Sequence, residues 1–172
     1  SGLANANSNN AYSYTLTDTS IAASTLNTLD ADTAGTITVS ATTITGAVAD
    51  IKTAYASSGL SGLGDEAVTI TDTGSVAASD LSTINSATTG LVTATSVATL
   101  TGTAAAINTL VGNEGDSGDK VNLDSDYVAT LTDTTITATV LNAVDGNVPG
   151  AVDASSVATI TGALADINTA YA

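Results

Sequence analysis

A four-residue core returns six times along the chain, as Thr15-Leu16-Thr17-Asp18, Thr43-Ile44-Thr45-Gly46, Thr69-Ile70-Thr71-Asp72, Thr99-Leu100-Thr101-Gly102, Thr130-Leu131-Thr132-Asp133 and Thr159-Ile160-Thr161-Gly162. Its central Leu or Ile residues stand 28, 26, 30, 31 and 29 residues apart. A unit of that length makes one supersecondary element and cannot bury its own apolar face, so such units stack and share a continuous core. The fourth core residue alternates Asp and Gly, which makes the higher-order unit a pair of coils, an A type and a B type, present three times.

The hydrophobic period changes inside each coil, and the change locates the elements. Thr-Leu/Ile-Thr alternates polar and apolar positions with β-branched residues, the pattern of a short strand with Leu or Ile facing inward. After each B core the period lengthens: Val48, Ile51 and Tyr55, Ala104, Ile107 and Val111, and Leu164, Ile167 and Tyr171 each form one stripe of an amphipathic helix. The A coils carry Ala22, Leu26 and Leu29, then Ala77, Leu81 and Ile84, then Thr137, Leu141 and Val144. Asp18, Asp72 and Asp133 are placed to cap the helices that follow them. Gly35, Gly90 and Gly150 stand where a chain leaves a helix in the left-handed conformation. A second extended piece precedes the later cores, through Val92, Ala94 and Val97 and through Val152, Ala154 and Val157, with Leu123 and Val128 in the fifth coil.

Strand, corner, strand and helix in each coil predict an α/β fold, a right-handed parallel solenoid of about six strand-helix coils in three AB pairs. The six core residues Leu16, Ile44, Ile70, Leu100, Leu131 and Ile160 would form one apolar column. An Asn/Ser-rich leader or linker occupies 1–11, and the solenoid 12–172 divides into pairs at about 12–67, 68–127 and 128–172. Ser1 in place of Met, and a motif that closes at Ala172, point to a piece of a longer protein.

Composition narrows the function. Seventeen acidic residues against two basic ones give a net charge of −15, the opposite of the basic footprint a nucleic-acid binder needs. No apolar run approaches the roughly 18 residues of a membrane helix, so no membrane insertion is expected. Hydrophobic residues make up 43% of the chain, too many for a disordered acidic tail. Cys, His, Met, Trp and Phe are all absent, which removes the thiol nucleophile, the imidazole base and the usual zinc ligands. No carboxylate pair is singled out by spacing, and no enzyme is expected.

Two constellations remain as candidate sites. If the core Leu and Ile point inward, the flanking Thr15, Thr17, Thr43, Thr45, Thr69, Thr71, Thr99, Thr101, Thr130, Thr132, Thr159 and Thr161 point outward as a flat grid. Such a grid resembles the ice-binding face of β-solenoid antifreeze proteins, although Thr is also an ordinary exposed strand residue. The loop from Asn113 to Asp126 gathers Glu114, Asp116, Asp119, Asp124 and Asp126, oxygen donors suited to calcium. It matches neither the EF-hand pattern nor the nonapeptide of calcium β-rolls, and as a solvated insertion it needs no ion.

The run Ser58-Gly-Leu-Ser-Gly-Leu-Gly-Asp-Glu-Ala-Val-Thr-Ile-Thr-Asp-Thr73, continuing to Gly90, and the run from Thr161 to Ala172 resemble the Thr/Ala-rich repeat arrays of very large surface or secreted proteins of marine cyanobacteria and other bacteria. The resemblance covers nearly all of the chain after Ala11. It implies an extracellular or cell-surface array module, part of a far longer protein of the kind linked to swimming or attachment, with neighbouring repeats of the same chain or assembly as its partners. The expected function is an acidic structural spacer or display rod. The alternative is a binding module: an ice-binding face, or a calcium- or glycan-binding adhesin segment.

Overall fold

The structure, a computed structural model, describes residues 11–171. The expected leader therefore lies, apart from Ala11, outside the described residues. The first pair of coils runs through β1 (Tyr14–Leu16), β2 (Ser20–Ala22) and α1 (Ala23–Ala31), then β3 (Ile37–Val39), β4 (Thr43–Gly46) and α2 (Val48–Ala56). The second comprises β5 (Leu60–Ser61), β6 (Ala67–Ile70), β7 (Ser75–Ala77) and α3 (Ala78–Asn85), then β8 (Val92–Ala94), β9 (Thr99–Gly102) and α4 (Ala104–Val111). The third comprises β10 (Val121–Leu123), β11 (Val128–Leu131), β12 (Thr135–Thr137) and α5 (Ala138–Asn147), then β13 (Val152–Asp153), β14 (Thr159–Thr161) and α6 (Leu164–Ala170).

All strand pairing is parallel, and each helix packs on the next in one uninterrupted row from α1 to α6. The fold is an open α/β solenoid of parallel strands and helices. Helices begin at residues 23, 48, 78, 104, 138 and 164, so a B helix follows its A partner after 25 or 26 residues while an A helix follows a B helix after 30 or 34. The surplus in the second and third A coils holds a third strand. β6 of the A coil pairs with β4 on one side and β8 on the other, and β7 opens a new sheet beside the helix row. The same step recurs at β11 and β12. The first AB pair thus begins two sheets and each later pair one, and the five-stranded sheet β2-β4-β6-β8-β10 spans all three pairs.

This stagger corrects the single column expected of the six cores. Ile44 stands opposite Ile21 and Val68, not Leu16 and Ile70, and Leu100 stands opposite Val76 and Ala129. The apolar columns of the structure are Ile21, Ile44, Val68, Val92 and Val121 in one sheet and Val76, Leu100, Ala129 and Val152 in the next. From a B core to the following A core the register slips by two residues, placing Ile70 opposite Gly46 and Leu131 opposite Gly102. A two-residue slip preserves which face points inward, so inward and outward positions keep their assignment while their partners change.

The helices bury short stripes. α1 buries Ala23 and Leu26, α2 buries Val48, Ile51 and Ala54, and α4 buries Ala104, Ile107 and Leu110. In the A helices the stripe starts one residue later than the sequence suggests, at Ala23, Ala78 and Ala138, each fully buried. Gly35, Gly90 and Gly150 are not among the positive-φ residues expected of them. They are glycines because of a close backbone approach: a β-carbon at Gly90 would lie 2.3 Å from the Glu66 carbonyl oxygen, and one at Gly35 equally close to that of Tyr12.

Leu100 is fully buried in a central coil, whereas Thr99 is half-buried on the outer side of the same strand. Leu100→Ala should cost about 2–5 kcal/mol of unfolding free energy and Thr99→Ala less than about 1 kcal/mol. Urea denaturation of the two variants checks the assignment of faces.

Candidate functional site at the seams between coil pairs

Polar side chains converge where a B coil meets the following A coil. The backbone N–H of Val48, the first residue of α2, donates to Asp72 Oδ2 at 2.8 Å, and that of Ala104, the first residue of α4, donates to Asp133 Oδ2 at 2.7 Å. Both carboxylates come from the A coil that follows. Asp72 and Asp133 therefore cap the helix of the preceding coil and not, as expected, their own. α1 and α3 start with no side-chain cap, while α5 is capped by Thr137, which accepts from the N–H of Val140. Asp18 heads the first coil and has no such helix before it among the described residues.

The same logic explains the alternation of Asp and Gly. Gly46, Gly102 and Gly162 take φ of +158°, +150° and +150°, values that L side chains avoid. They turn the chain from the strand into the residue before each B helix. The A-type Asp occupies a different place in its coil, one strand earlier, where its carboxylate lies over that helix start. Anion and helix N-terminus attract through both the hydrogen bond and the helix dipole.

The first seam carries two further side-chain bonds between coils. Lys52 Nζ of α2 meets Asp80 Oδ1 of α3 at 2.5 Å, with both side chains more than one-third exposed, so the pair contributes no more than about 1 kcal/mol. Tyr55 donates its hydroxyl to Glu66, which is 2% exposed and also accepts from the N–H groups of Gly64 at 2.8 Å and Asp65 at 3.2 Å. One coil back, Ser57 donates its hydroxyl to Asp30 at 2.7 Å. Lys52, Asp72, Asp80 and Asp30 line an open cleft of about 930 Å³ between α2 and α3. Within a pair, Asn27 donates to the Asp50 carbonyl and Asn142 to the Asp166 carbonyl, both at 3.0 Å.

Burial, and then the Glu66 carboxylate, push the Tyr55 hydroxyl far above its ordinary value. At the second seam Tyr127 holds the place of Glu66. It is buried, its hydroxyl has no partner among the described residues, and burial with the Glu114 charge beside it pushes its pKa up to about 12. Glu114 is exposed as a residue, but partial burial of its carboxyl raises its pKa too.

The twelve Thr of the cores are exposed or half-buried, and none is buried. They do not belong to one sheet: Thr15, Thr43, Thr99 and Thr159 lie in four different sheets, and Thr17, Thr71 and Thr132 fall beyond the strand ends. The ladder that forms is instead Thr45, Thr69 and Thr93, three rungs in register. Glu114, Asp116, Asp119, Asp124 and Asp126 remain on the loop before and after β10, and among the described residues no group of three or more carboxylates is arranged to hold a metal ion.

The seam bonds went unread in the sequence, although three share a signal: donor and acceptor lie about one coil apart, 24 residues for Val48 and Asp72, 28 for Lys52 and Asp80, 29 for Ala104 and Asp133. Chemically, the arrangement fastens coils together. Comparison with protein-family models, with curated proteins and with solved structures finds no significant match.

Two outcomes test the seams. Asp133→Ala should cost about 0.5–2 kcal/mol, the value of a lost cap, read by denaturant unfolding at neutral pH. Because Tyr55 and Tyr127 ionise more reluctantly folded than unfolded, the stability they hold is complete below pH 10 and is lost as pH rises above it. Tyr55→Phe should reduce the slope of this alkaline loss, measured by urea midpoints from pH 8 to 12.

Proposed function

We propose that this chain is a structural repeat module of a large extracellular or cell-surface protein, serving as an acidic spacer or display rod. The observation that carries the proposal is where the seam groups go. Asp72, Asp133, Glu66 and Asp80 each bond a neighbouring coil, so the side chains that would bind or catalyse are spent on holding coil to coil. Each added coil extends the row by one packed helix, about 8–10 Å, and length is then set by repeat number alone. The charge of −15 with only Lys52 and Lys120 as cations keeps such rods soluble and apart. The likeness to bacterial surface arrays supports a place outside the cell. Among the described residues no helix is long and apolar enough to cross a membrane.

An antibody raised against the folded module tests the location. Intact cells of the source should stain as strongly as permeabilised ones, and staining that requires permeabilisation would overturn the proposal. The three-rung Thr45, Thr69 and Thr93 ladder supports a second reading, an ice-binding face, which a nanolitre osmometer separates from the first. A rod gives rounded ice crystals without thermal hysteresis.

Self-repulsion weakens once the Debye length falls to about 10 Å near 0.1 M salt. Thermal midpoints should therefore rise between low and physiological salt. Calcium should add nothing beyond sodium at matched ionic strength if the loop from Asn113 to Asp126 is only a solvated insertion, and a calcium-specific rise would assign it a site.

A further inference from the structure

The stagger of the sheets leaves a strand edge open in the middle of the stack. β7 begins a sheet that continues to β9, β11 and β13, and no strand pairs with its other side. It lies mid-chain, with one coil pair before its own and one after. Alternate residues of a paired strand turn their backbone groups to opposite sides. The N–H of Thr99 donates to the Gly74 carbonyl at 3.3 Å, and Val76 stands opposite Leu100, so Gly74 and Val76 serve β9. Ser75 and Ala77 turn the other way. The Ala77 carbonyl sits at the N-cap of α3 and starts that helix, which leaves the Ser75 N–H and C=O and the Ala77 N–H as an unpaired edge.

That edge borders the open cleft between α2 and α3, which Ser75, Val76 and Ala77 line. Ser75 is exposed and Ala77 half-buried, so the edge is reachable from solvent. The charge around it is one-sided: Asp30, Asp72 and Asp80 against Lys52 leave −2 in a cleft of about 930 Å³. Joining coils does not require all of these charges. At the second seam the cap is kept as Asp133, but the positions of Asp30, Lys52 and Asp80 hold Asn85, Asn108 and Val140, and Asn108 accepts from Asn147 at 3.2 Å.

We propose that the cleft takes an extended basic peptide of another protein, which adds to the open edge of β7 as a further strand and sets a Lys or Arg against Asp30 and Asp80. This goes beyond the rod reading, since it gives the rod a docking point. Strand addition draws its affinity from main-chain groups, so it does not compete for the side chains that fasten the coils. A carboxylate that already accepts one hydrogen bond keeps further lone pairs for a cation. A second copy of this chain does not fit the same chemistry. Its two cations are Lys52, which belongs to the cleft, and Lys120, whose carbonyl accepts the Val92 N–H in the ladder of β8 and β10. The edge is three residues long, about 10 Å of strand, so charge supplies the selectivity that so short a ladder lacks.

The test is fluorescence anisotropy of a labelled, end-capped hexapeptide, Thr-Val-Lys-Val-Arg-Val, titrated with the 172-residue chain. Binding should saturate and weaken as salt rises. Ser75→Pro removes an edge N–H without touching the pairing with β9, and proline is tolerated on the open side of an edge strand. It should leave the circular-dichroism melt unchanged and weaken binding by about tenfold or more. Methylating alternate backbone nitrogens of the peptide should have the same effect with its charge intact. That arm leaves the protein untouched and decides the matter even if Ser75→Pro alters the melt. Asp30→Asn with Asp80→Asn, which takes the cleft charge from −2 to 0, should erase the preference for this peptide over one with Glu in place of Lys and Arg. No saturable binding, equal binding of the Glu peptide to the unaltered chain, or binding indifferent to N-methylation would each overturn the docking site.

Discussion

Strands and helices cannot stack at the same interval, and the architecture follows from that mismatch. Paired strands lie about 4.8 Å apart, while packed helices need 8–10 Å. A coil that contributes one of each must either curve the stack or slide as it repeats. This chain keeps the helix row unbroken and lets the sheets slide. Each junction between pairs inserts one strand, β6 or β11 becomes shared between an old sheet and a later coil, and a new sheet opens beside the helices. The unequal helix spacing and the two-residue register slip both express this sliding.

Sliding creates two kinds of junction with different chemistry. Within a pair the coils align strand for strand, and Asn27 or Asn142 adds one side-chain bond to the next helix. Between pairs the alignment shifts, and a carboxylate is brought over a helix start. Apolar columns supply most of the cohesion at both, as the nearly continuous core from Ile21 to Val148 shows. The polar bonds add direction: they specify which coil may follow which. Tyr127, whose hydroxyl has no partner among the described residues, shows that a seam tolerates an imperfect polar fit when its apolar contacts are complete.

Much of this was legible in the residues. Period, strand faces and helix stripes were set by local alternation, which survives any two-residue slip. Leu100 and Thr99 face as their pattern requires. The single column fails because Thr-Leu-Thr-Asp and Thr-Ile-Thr-Gly look homologous but occupy different strands of their coils, and the Asp or Gly that separates them does not say which strands pair. Only pairing does. The caps were misassigned for the same reason, since a side chain one coil downstream reaches a helix start as readily as one three residues upstream. Gly90 illustrates the complement: its place after a helix was correct and its cause was not, because the carbonyl it makes room for belongs to residue 66.

The direction of the caps bears on how such a chain is made. A B helix receives its carboxylate from sequence that lies further toward the C-terminus, 24 residues on for Val48 and 29 for Ala104. During synthesis, which runs from the N-terminus, the first N–H of that helix must wait for most of another coil to emerge before it is satisfied. Folding of the array therefore trails the ribosome by about one coil, and a nascent chain halted after a B coil is left with a frayed, apolar growing tip that the next A coil would have covered.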